Sequence, residues 1–162
     1  MNPVTAHDAR RRRRLAAEIK DSLRELSNQL SLLNHQVGAR LELKDIDLDC
    51  LDLITRHGPL SPSEIARRAG LHPATMTGIL DRLQKGGWVT RERDPDAADR
   101  RAVQVRALRD RSAEVFKLYA GMNTKMDQLL ADYSAADLEL LSDFLQRTTA
   151  AGQTATSTLA EA

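Results

Sequence analysis

Apolar residues recur along the first part of the chain at the spacing of one helix face. From Leu15 to Leu41 successive apolar positions lie three or four residues apart, which is the repeat of an amphipathic helix. They are Leu15, Ile19, Leu23, Leu26, Leu30, Leu33, Val37 and Leu41. Such a helix is about 40 Å long. One small core does not cover that length, so we expect part of the stripe to pack on a second subunit.

The next helices carry local start and stop signals. A helix is predicted from about 45 to 57, and a shorter one begins at a complete set of start signals. There Ser61 is the expected N-cap, Pro62 takes the first helical position, and Glu64 closes a capping box. Gly70 is expected to end this helix in the left-handed conformation.

A further helix is predicted from Pro73 to the pair Gly86-Gly87. Its expected buried stripe is Met76, Ile79, Leu80 and Leu83. Two short helices joined by a three-residue turn that contains glycine form a helix-turn-helix. The periodicity then changes, because residues 88–93 and 102–106 alternate as strands do, around a polar turn at 94–101. This hairpin is the expected wing.

Two more amphipathic helices close the chain. The first is predicted from about 110 to 131, and Ser134 with Asp137 opens the second, which Gly152 is expected to end. The fold class is therefore mainly α with a small β-wing. We assign 1–14 to a basic N-terminal arm, 15–44 and 109–152 to dimerisation helices, 45–108 to a winged helix-turn-helix domain, and 153–162 to a flexible tail.

Composition narrows the functional classes. Only 3% of the 162 residues are aromatic, and the single cysteine, Cys50, allows neither an intrachain disulfide nor a cysteine metal cluster. No apolar run approaches the roughly 20 residues of a membrane span. We expect a cytoplasmic protein without a cofactor or metal.

The net charge of +1 hides a strong segregation of charge. The net charge is +4 for residues 1–20, −4 for residues 21–55, +5 for residues 56–111 and −4 for residues 112–162. A basic middle segment between acidic ones is expected for a module that binds a polyanion. The run Arg10–Arg14 remains open between a solvated helix start and an arm that adds phosphate contacts.

The expected recognition helix offers short polar side chains off its buried stripe. The candidates for major-groove contact are His72, Pro73, Ala74, Thr75, Thr77, Gly78 and Arg82. Thr75 and Thr77 suit base edges, whereas Arg82 suits a phosphate or a guanine. The alternative is that these are ordinary solvent-facing positions.

The wing carries several arginines, which suit the negative potential of a narrow minor groove. The candidate groove residues are Arg93, Arg100 and Arg101, with Arg91 at the wing base. One of Asp81, Asp94, Asp96 and Asp99 is expected to pair with a wing arginine and hold it in place. We call the residues that support the wing in this way its framework, and we include Asp99 among them. The alternative is a hairpin of self-neutralising charge pairs.

The order of elements and one run of residues resemble the MarR family of bacterial regulators. The run is Leu80-Asp81-Arg82-Leu83, then Lys85-Gly86-Gly87-Trp88-Val89, Arg91 and Asp99-Arg100-Arg101. The resemblance covers nearly the whole chain. It implies a homodimer that binds double-stranded DNA at an inverted repeat, commonly as a repressor, with release by a small aromatic or anionic effector. It also implies that Asp81 and Arg91 pair beneath the wing, and that Arg100 or Arg101 enters the minor groove.

The resemblance also implies an effector pocket between the dimer helices and the winged helix. The candidates are Trp88, Phe116 and Tyr119, although Trp88 is better suited to the core at the wing base. Cys50 stands among leucines and is interpreted as a small buried hydrophobe, with redox sensing as the alternative.

Other function classes find less support in the sequence. The histidines, at positions 7, 35, 57 and 72, have unrelated spacings, and no phosphate-binding loop or nucleophile motif is present, so we do not expect an enzyme. The second hypothesis is a winged-helix protein-interaction module that docks an acidic partner without reading DNA.

Overall fold

The computed structural model describes residues 3–93 and 103–161, which form six helices and two strands. The chain divides into two compact units, residues 1–45 and 46–162. The first unit holds one long helix, and the second holds the other helices and the strands. Within the described residues, none of the helices is both long and apolar enough to cross a membrane.

The long first helix, α1, spans Pro3–Leu41 and starts well before the predicted apolar stripe. Residues 10–14 therefore lie inside the helix and are exposed, so the basic arm assigned from the sequence is continuous with α1. The difference has a simple cause. Alanine and arginine are good helix formers, so the helix continues without an apolar face to mark it. The helix ends where Glu42 adopts a positive φ of 57° and the Leu43 N–H donates to the Gly38 carbonyl over 2.9 Å.

Helix α2 spans Asp45–His57 and helix α3 spans Pro62–Ala69, as the sequence predicts. The capping box at the start of α3 is complete. The Ser61 N–H donates to the Glu64 carboxylate over 2.9 Å, and the Glu64 N–H donates to Ser61 Oγ over 3.3 Å. The Ser61 N–H, and the Ser61 hydroxyl, which donates to the same carboxylate over 2.8 Å, lower the pKa of Glu64. Gly70 ends the helix at a φ of 65°, which is the left-handed conformation expected of it.

Helix α4 spans Pro73–Lys85, and the predicted stripe of four residues is fully buried. Together α2, α3, α4 and the strands form one aliphatic core with a single tryptophan. Its largest members are Leu48, Leu51, Ile54, Leu60, Ile65, Met76, Ile79, Leu80, Leu83, Trp88, Val89 and Val105. Because this core buries one side of α4, the other side of the helix faces solvent.

The wing strands are β1, Val89–Arg93, and β2, Val103–Ala107, paired antiparallel with Val89 opposite Ala107. On the other edge of β2, Leu60 exchanges two backbone hydrogen bonds with Val105, of 3.1 and 2.8 Å. The segment before α3 therefore joins the wing to the helix-turn-helix. The wing turn, with Asp94, Asp96, Asp99, Arg100 and Arg101, lies outside the described residues.

Helix α5 spans Arg109–Leu130 and helix α6 spans Ala135–Glu161. Ser134 and Asp137 form the predicted cap, since the Asp137 N–H donates to Ser134 Oγ over 3.3 Å. The predicted end of the last helix is wrong, because α6 continues through Gly152 to Glu161.

The continuation of α6 has a local explanation. A glycine inside a helix costs only about 1 kcal/mol relative to alanine, which neighbouring turns can offset. Threonine hydroxyls beyond Gly152 also donate to carbonyls four residues earlier, so they do not compete with the helical backbone. These are Thr154, Thr156 and Thr158. Residues 153–161 are therefore helical and not the tail that we predict from the sequence.

Candidate nucleic-acid interface

The N-terminus of α4 is capped by a histidine. His72 Nδ1 accepts a hydrogen bond from the Ala74 N–H over 3.2 Å. Because the accepting nitrogen of a neutral imidazole carries no proton, the Nε2 atom is then the donor of the ring. The His72 side chain is exposed, so this N–H is available to an acceptor such as a phosphate or a base edge.

One side of α4 is buried and the other is open. His72, Pro73, Ala74, Thr75 and Thr77 are exposed, and Gly78 is half-buried. The structure therefore brings these predicted reading positions onto the solvent side of the helix opposite the core. Their contact with DNA stays a prediction.

A shallow depression lies beside the exposed side of α4. It is lined by Ser61, Pro62, Ser63, Pro73, Thr77 and Val103. The start of α3, the start of α4 and strand β2 thus surround one concave surface. A partner seated on α4 would also meet the start of α3 and the first residue of β2.

Thr77 is held against its own helix. Its hydroxyl donates to the Pro73 carbonyl over 3.1 Å, which uses the hydroxyl hydrogen and leaves the oxygen lone pairs as acceptors. Thr77 therefore presents an acceptor and a methyl group to anything that lies on this side of α4.

Arg82 is engaged in a contact that the sequence prediction missed. Its Nε and Nη2 atoms donate to the two carboxylate oxygens of Asp47 over 2.9 and 2.6 Å. Asp47 is 2% exposed, whereas the Arg82 side chain retains 45% exposure. These hydrogen bonds raise the pKa of Arg82. The sequence does signal that Asp47 needs a partner, because Asp47, Leu51 and Ile54 share one helix face and a charged residue on a buried face is normally paired.

The pairing at the wing base that the family resemblance implies is present. Arg91 Nη2 donates to Asp81 Oδ1 over 2.7 Å and so joins strand β1 to helix α4. Arg93 is exposed at the end of β1. On β2, Arg106 Nε lies 3.6 Å from Glu92 Oε2 of β1. The framework role of the Asp81–Arg91 pair and the groove roles of Arg93, Arg100 and Arg101 stay predictions.

The three candidate effector-pocket residues differ in their surroundings. Trp88 is buried in the core, Tyr119 is half-buried, and Phe116 is 72% exposed. Burial raises the pKa of Tyr119, with smaller contributions from Asp52 and Asp49. Among the described residues, the open depression on α5 that includes Phe116 is lined by neither Trp88 nor Tyr119. An effector pocket formed by these three residues remains a prediction.

Cys50 is buried, as expected for a small hydrophobe. Burial raises the pKa of its thiol to about 11, and the negative charges of Asp47 and Asp49 add to the effect. The thiolate, which is the reactive form, is therefore scarce at neutral pH. Within residues 3–93 and 103–161, no group of three or more His, Cys, Asp or Glu side chains is placed to hold a metal ion.

Comparison with known proteins identifies the family. A family model described as MarR family matches residues 46–103, which cover the winged helix. The chain is also 32% identical over 116 residues to an uncharacterized HTH-type transcriptional regulator, YcgE of Bacillus subtilis, across 71% of this chain and 74% of that protein. The chain belongs to the MarR family. It is therefore a member of a family of DNA-binding transcriptional regulators.

Other relatives agree with this assignment. The HTH-type transcriptional repressor YetL of Bacillus subtilis is 28% identical over 92 residues, which span 54% of each chain. Among solved structures, a MepR mutant from a multidrug-resistant S. aureus isolate superposes with a TM-score of 0.69 at 16% identity, over 82% of this chain and 96% of the other. A MarR family protein from Bacillus stearothermophilus superposes with a TM-score of 0.65 at 18% identity, over 87% of this chain and 97% of the other. These likenesses confirm the mainly α fold with a winged helix.

Proposed function

We propose that this MarR family member is a homodimeric repressor that reads an inverted repeat with helix α4. The observation that carries the proposal is the division of α4 into a buried and an open side. Four core residues hold the helix, and the small and polar residues from His72 to Thr77 face outward. The major groove of duplex DNA admits such a helix, and its N-terminal residues are those that reach the base edges.

The wing supports the same proposal. Arg91 is tied to Asp81, which fixes β1 to the recognition helix, and Arg93 lies exposed at the far end of that strand. An exposed arginine at the far end of a strand that is tied to α4 suits contact with the adjacent minor groove or its phosphates. We assign Arg93, Arg100 and Arg101 to this contact, within a framework of Asp81, Arg91 and Asp99.

Exposed apolar side chains support the dimer. Helix α5 has no buried residue, and large apolar residues stay open on both α5 and α6. They include Phe116, Leu129, Leu140, Leu141, Phe144 and Leu145. An apolar surface of this kind marks an interaction site. An isologous interface would place two α4 helices on successive turns of one side of the duplex, about 34–36 Å apart.

Release by a small aromatic or anionic effector completes the proposal. Phe116 on α5 lies in an open depression whose other lining residues include Arg109 and Lys117. An aromatic ring beside two cationic side chains suits an aromatic acid. Genes near the chain's own gene are the expected targets of repression.

DNA recognition is tested by comparing two duplexes of equal length at moderate salt. One carries an inverted repeat taken from near the protein's own gene, with half-site centres about 10 bp apart, and the other carries the same bases scrambled. We expect much tighter binding to the repeat. Equal affinity for the two duplexes would contradict the proposal and favour a protein-docking module.

The dimer is tested by Phe144→Asp, which places a charge among the exposed apolar residues of α6. We expect a shift towards the monomer in light scattering and a loss of operator affinity. The matched control is Ser142→Asp on the same helix, where the native residue is polar and exposed. An unchanged mass for Phe144→Asp would contradict an interface at this position.

A further inference from the structure

Asp47 stands out among the acidic residues because it is buried and yet bound to the recognition helix. Its side chain is 3% exposed, and it belongs to α2, whereas Arg82 belongs to α4, 35 residues further along the chain. A buried carboxylate without a partner is strongly unfavourable. The fork of Arg82 satisfies both oxygens of the carboxylate at once, which is the geometry that arginine offers and lysine does not.

The pair leaves one edge of the guanidinium directed along α4. Nε and Nη2 are committed to Asp47, while Nη1 lies 3.7 Å from the position that a Cβ on Gly78 would occupy. Gly78 is one turn earlier on the same helix, beside the exposed Thr77 and Thr75. The Arg82 side chain therefore returns along the helix surface towards the predicted reading positions, and it is 45% exposed.

From this geometry we infer that Asp47 is a positioning residue for DNA recognition, since it holds Arg82 so that Nη1 meets the DNA beside Gly78. This inference rests on the proposed reading of DNA by α4. Asp47 itself touches no base or phosphate. It removes the rotational freedom of a long side chain before binding, so that the contact requires little further ordering. It also offsets the charge of Arg82, which limits attraction to arbitrary duplexes.

The test removes the two groups in an order that avoids a stranded charge. Arg82→Ala alone would leave Asp47 buried and unpaired, which destabilises a fold strongly. We therefore compare wild type, Asp47→Ala, and the double variant Asp47→Ala with Arg82→Ala. The matched control is Asp52→Ala, which removes one negative charge from the same helix, where Asp52 pairs with Arg56 in an exposed contact of 2.8 Å.

Each protein is titrated with the inverted-repeat duplex and with its scrambled counterpart at several salt concentrations, and folding is checked by thermal melting. Asp47→Ala should lose about tenfold or more in affinity for the repeat, the scale of one good side-chain contact. Its affinity for scrambled DNA should match that of Asp52→Ala, because both variants change the net charge equally. Removal of Arg82 from Asp47→Ala should then cost less than about twofold, since the contact is already lost.

Three results would overturn the inference. In the first, Asp47→Ala binds the repeat as tightly as Asp52→Ala does. In the second, adding Arg82→Ala to Asp47→Ala costs as much affinity for the repeat as Asp47→Ala itself does. In the third, Asp47→Ala lowers the affinities for the repeat and for the scrambled duplex equally. If Asp47→Ala fails to fold, Asp47→Asn carries the same test, because it keeps the shape and one acceptor but loses the charge. A wild-type protein that does not distinguish the duplexes overturns the proposed function itself, which is a different result from any variant outcome.

Discussion

The guanidinium carbon of Arg111 lies 3.8 Å from the centroid of the Trp88 ring. Arg111 lies in the first turn of helix α5, and its Nη1 atom also donates to both carboxylate oxygens of Glu114, over 2.9 and 2.8 Å. The same indole approaches the end of α4, since a Cβ on Gly86 would lie 2.7 Å from Trp88 Cδ1. The tryptophan at the wing base thus contacts both the end of the recognition helix and the start of α5.

Arg111→Ala should weaken this junction. Loss of the cation–π contact is expected to lower the free energy of unfolding by about 0.5–2 kcal/mol. Urea denaturation at fixed protein concentration measures the change, and Trp88 is the only tryptophan, so its emission reports on the junction directly. Arg147→Ala is the control, because Arg147 is exposed on α6 and pairs only over 3.4 Å with Asp143. Equal stability and emission for the wild type and Arg111→Ala would contradict a role for this contact.

Ser61→Ala should destabilise the start of α3, by about 1 kcal/mol for loss of the N-cap. The effect should depend on pH. Hydrogen bonds from the Ser61 backbone N–H and from its hydroxyl lower the pKa of Glu64 in the folded state below its ordinary value of 4.5, and the substitution removes only the bond from the hydroxyl. A carboxylate with a lowered folded pKa stabilises the fold above its unfolded pKa, and this contribution is lost as the pH falls through the folded pKa.

Thermal melting of wild type and Ser61→Ala across a pH series checks this expectation. The difference in stability should be largest near neutral pH and should narrow as the pH falls below 4.5, the ordinary pKa of Glu64, and through the lower pKa of the folded state. It should not vanish, because the Ser61 hydroxyl still accepts from the Glu64 N–H. A difference that is independent of pH would contradict a contribution of the Ser61 hydroxyl to the pKa shift.

Gly152 and Gly70 should respond to alanine in opposite directions. A Cβ on Gly152 meets no atom within 4 Å, so Gly152→Ala should stabilise helix α6 by roughly 0.5–1 kcal/mol. Gly70 has a φ of 65°, so Gly70→Ala should destabilise by about 1–2 kcal/mol. Circular dichroism during thermal unfolding compares them, and each variant serves as the other's control. Lower helicity in Gly152→Ala would place the end of α6 at Gly152.

The sequence predicts this fold best where neighbouring residues decide the structure. The capping box at Ser61 and Glu64 and the left-handed Gly70 are local, and both are found where expected. Gly152 carries the same sequence signal as Gly70, but it lies inside helix α6. A single glycine is compatible both with a helix cap and with a tolerated position inside a helix. Local preference alone does not distinguish these cases.

The candidate site is predicted less completely, because part of it depends on contacts between distant residues. The buried stripe of α4 can be predicted from the apolar periodicity, and the residues outside that stripe, including Thr75 and Thr77, are then expected to be exposed, as they are. The Asp47–Arg82 pair joins residues 35 positions apart, and no periodicity shows which acidic residue reaches which arginine. Arg82 is thus recognised as a candidate from the sequence, but what holds it is not.

Thr77→Val should remove one element of base recognition while leaving the fold intact. Valine keeps the shape and the branched Cβ, so the helix should tolerate it, but it lacks the oxygen that Thr77 presents as an acceptor. That acceptor suits the amino group of cytosine or adenine, and its loss should cost about 1–3 kcal/mol of discrimination at one base pair. Competition between operator duplexes that differ at single positions measures it. Thr55→Val is the matched control, because Thr55 makes the same bond to a carbonyl four residues earlier, Leu51, over 2.8 Å, but on α2. If Thr77→Val keeps the wild-type preference at every operator position, Thr77 does not contribute to base recognition.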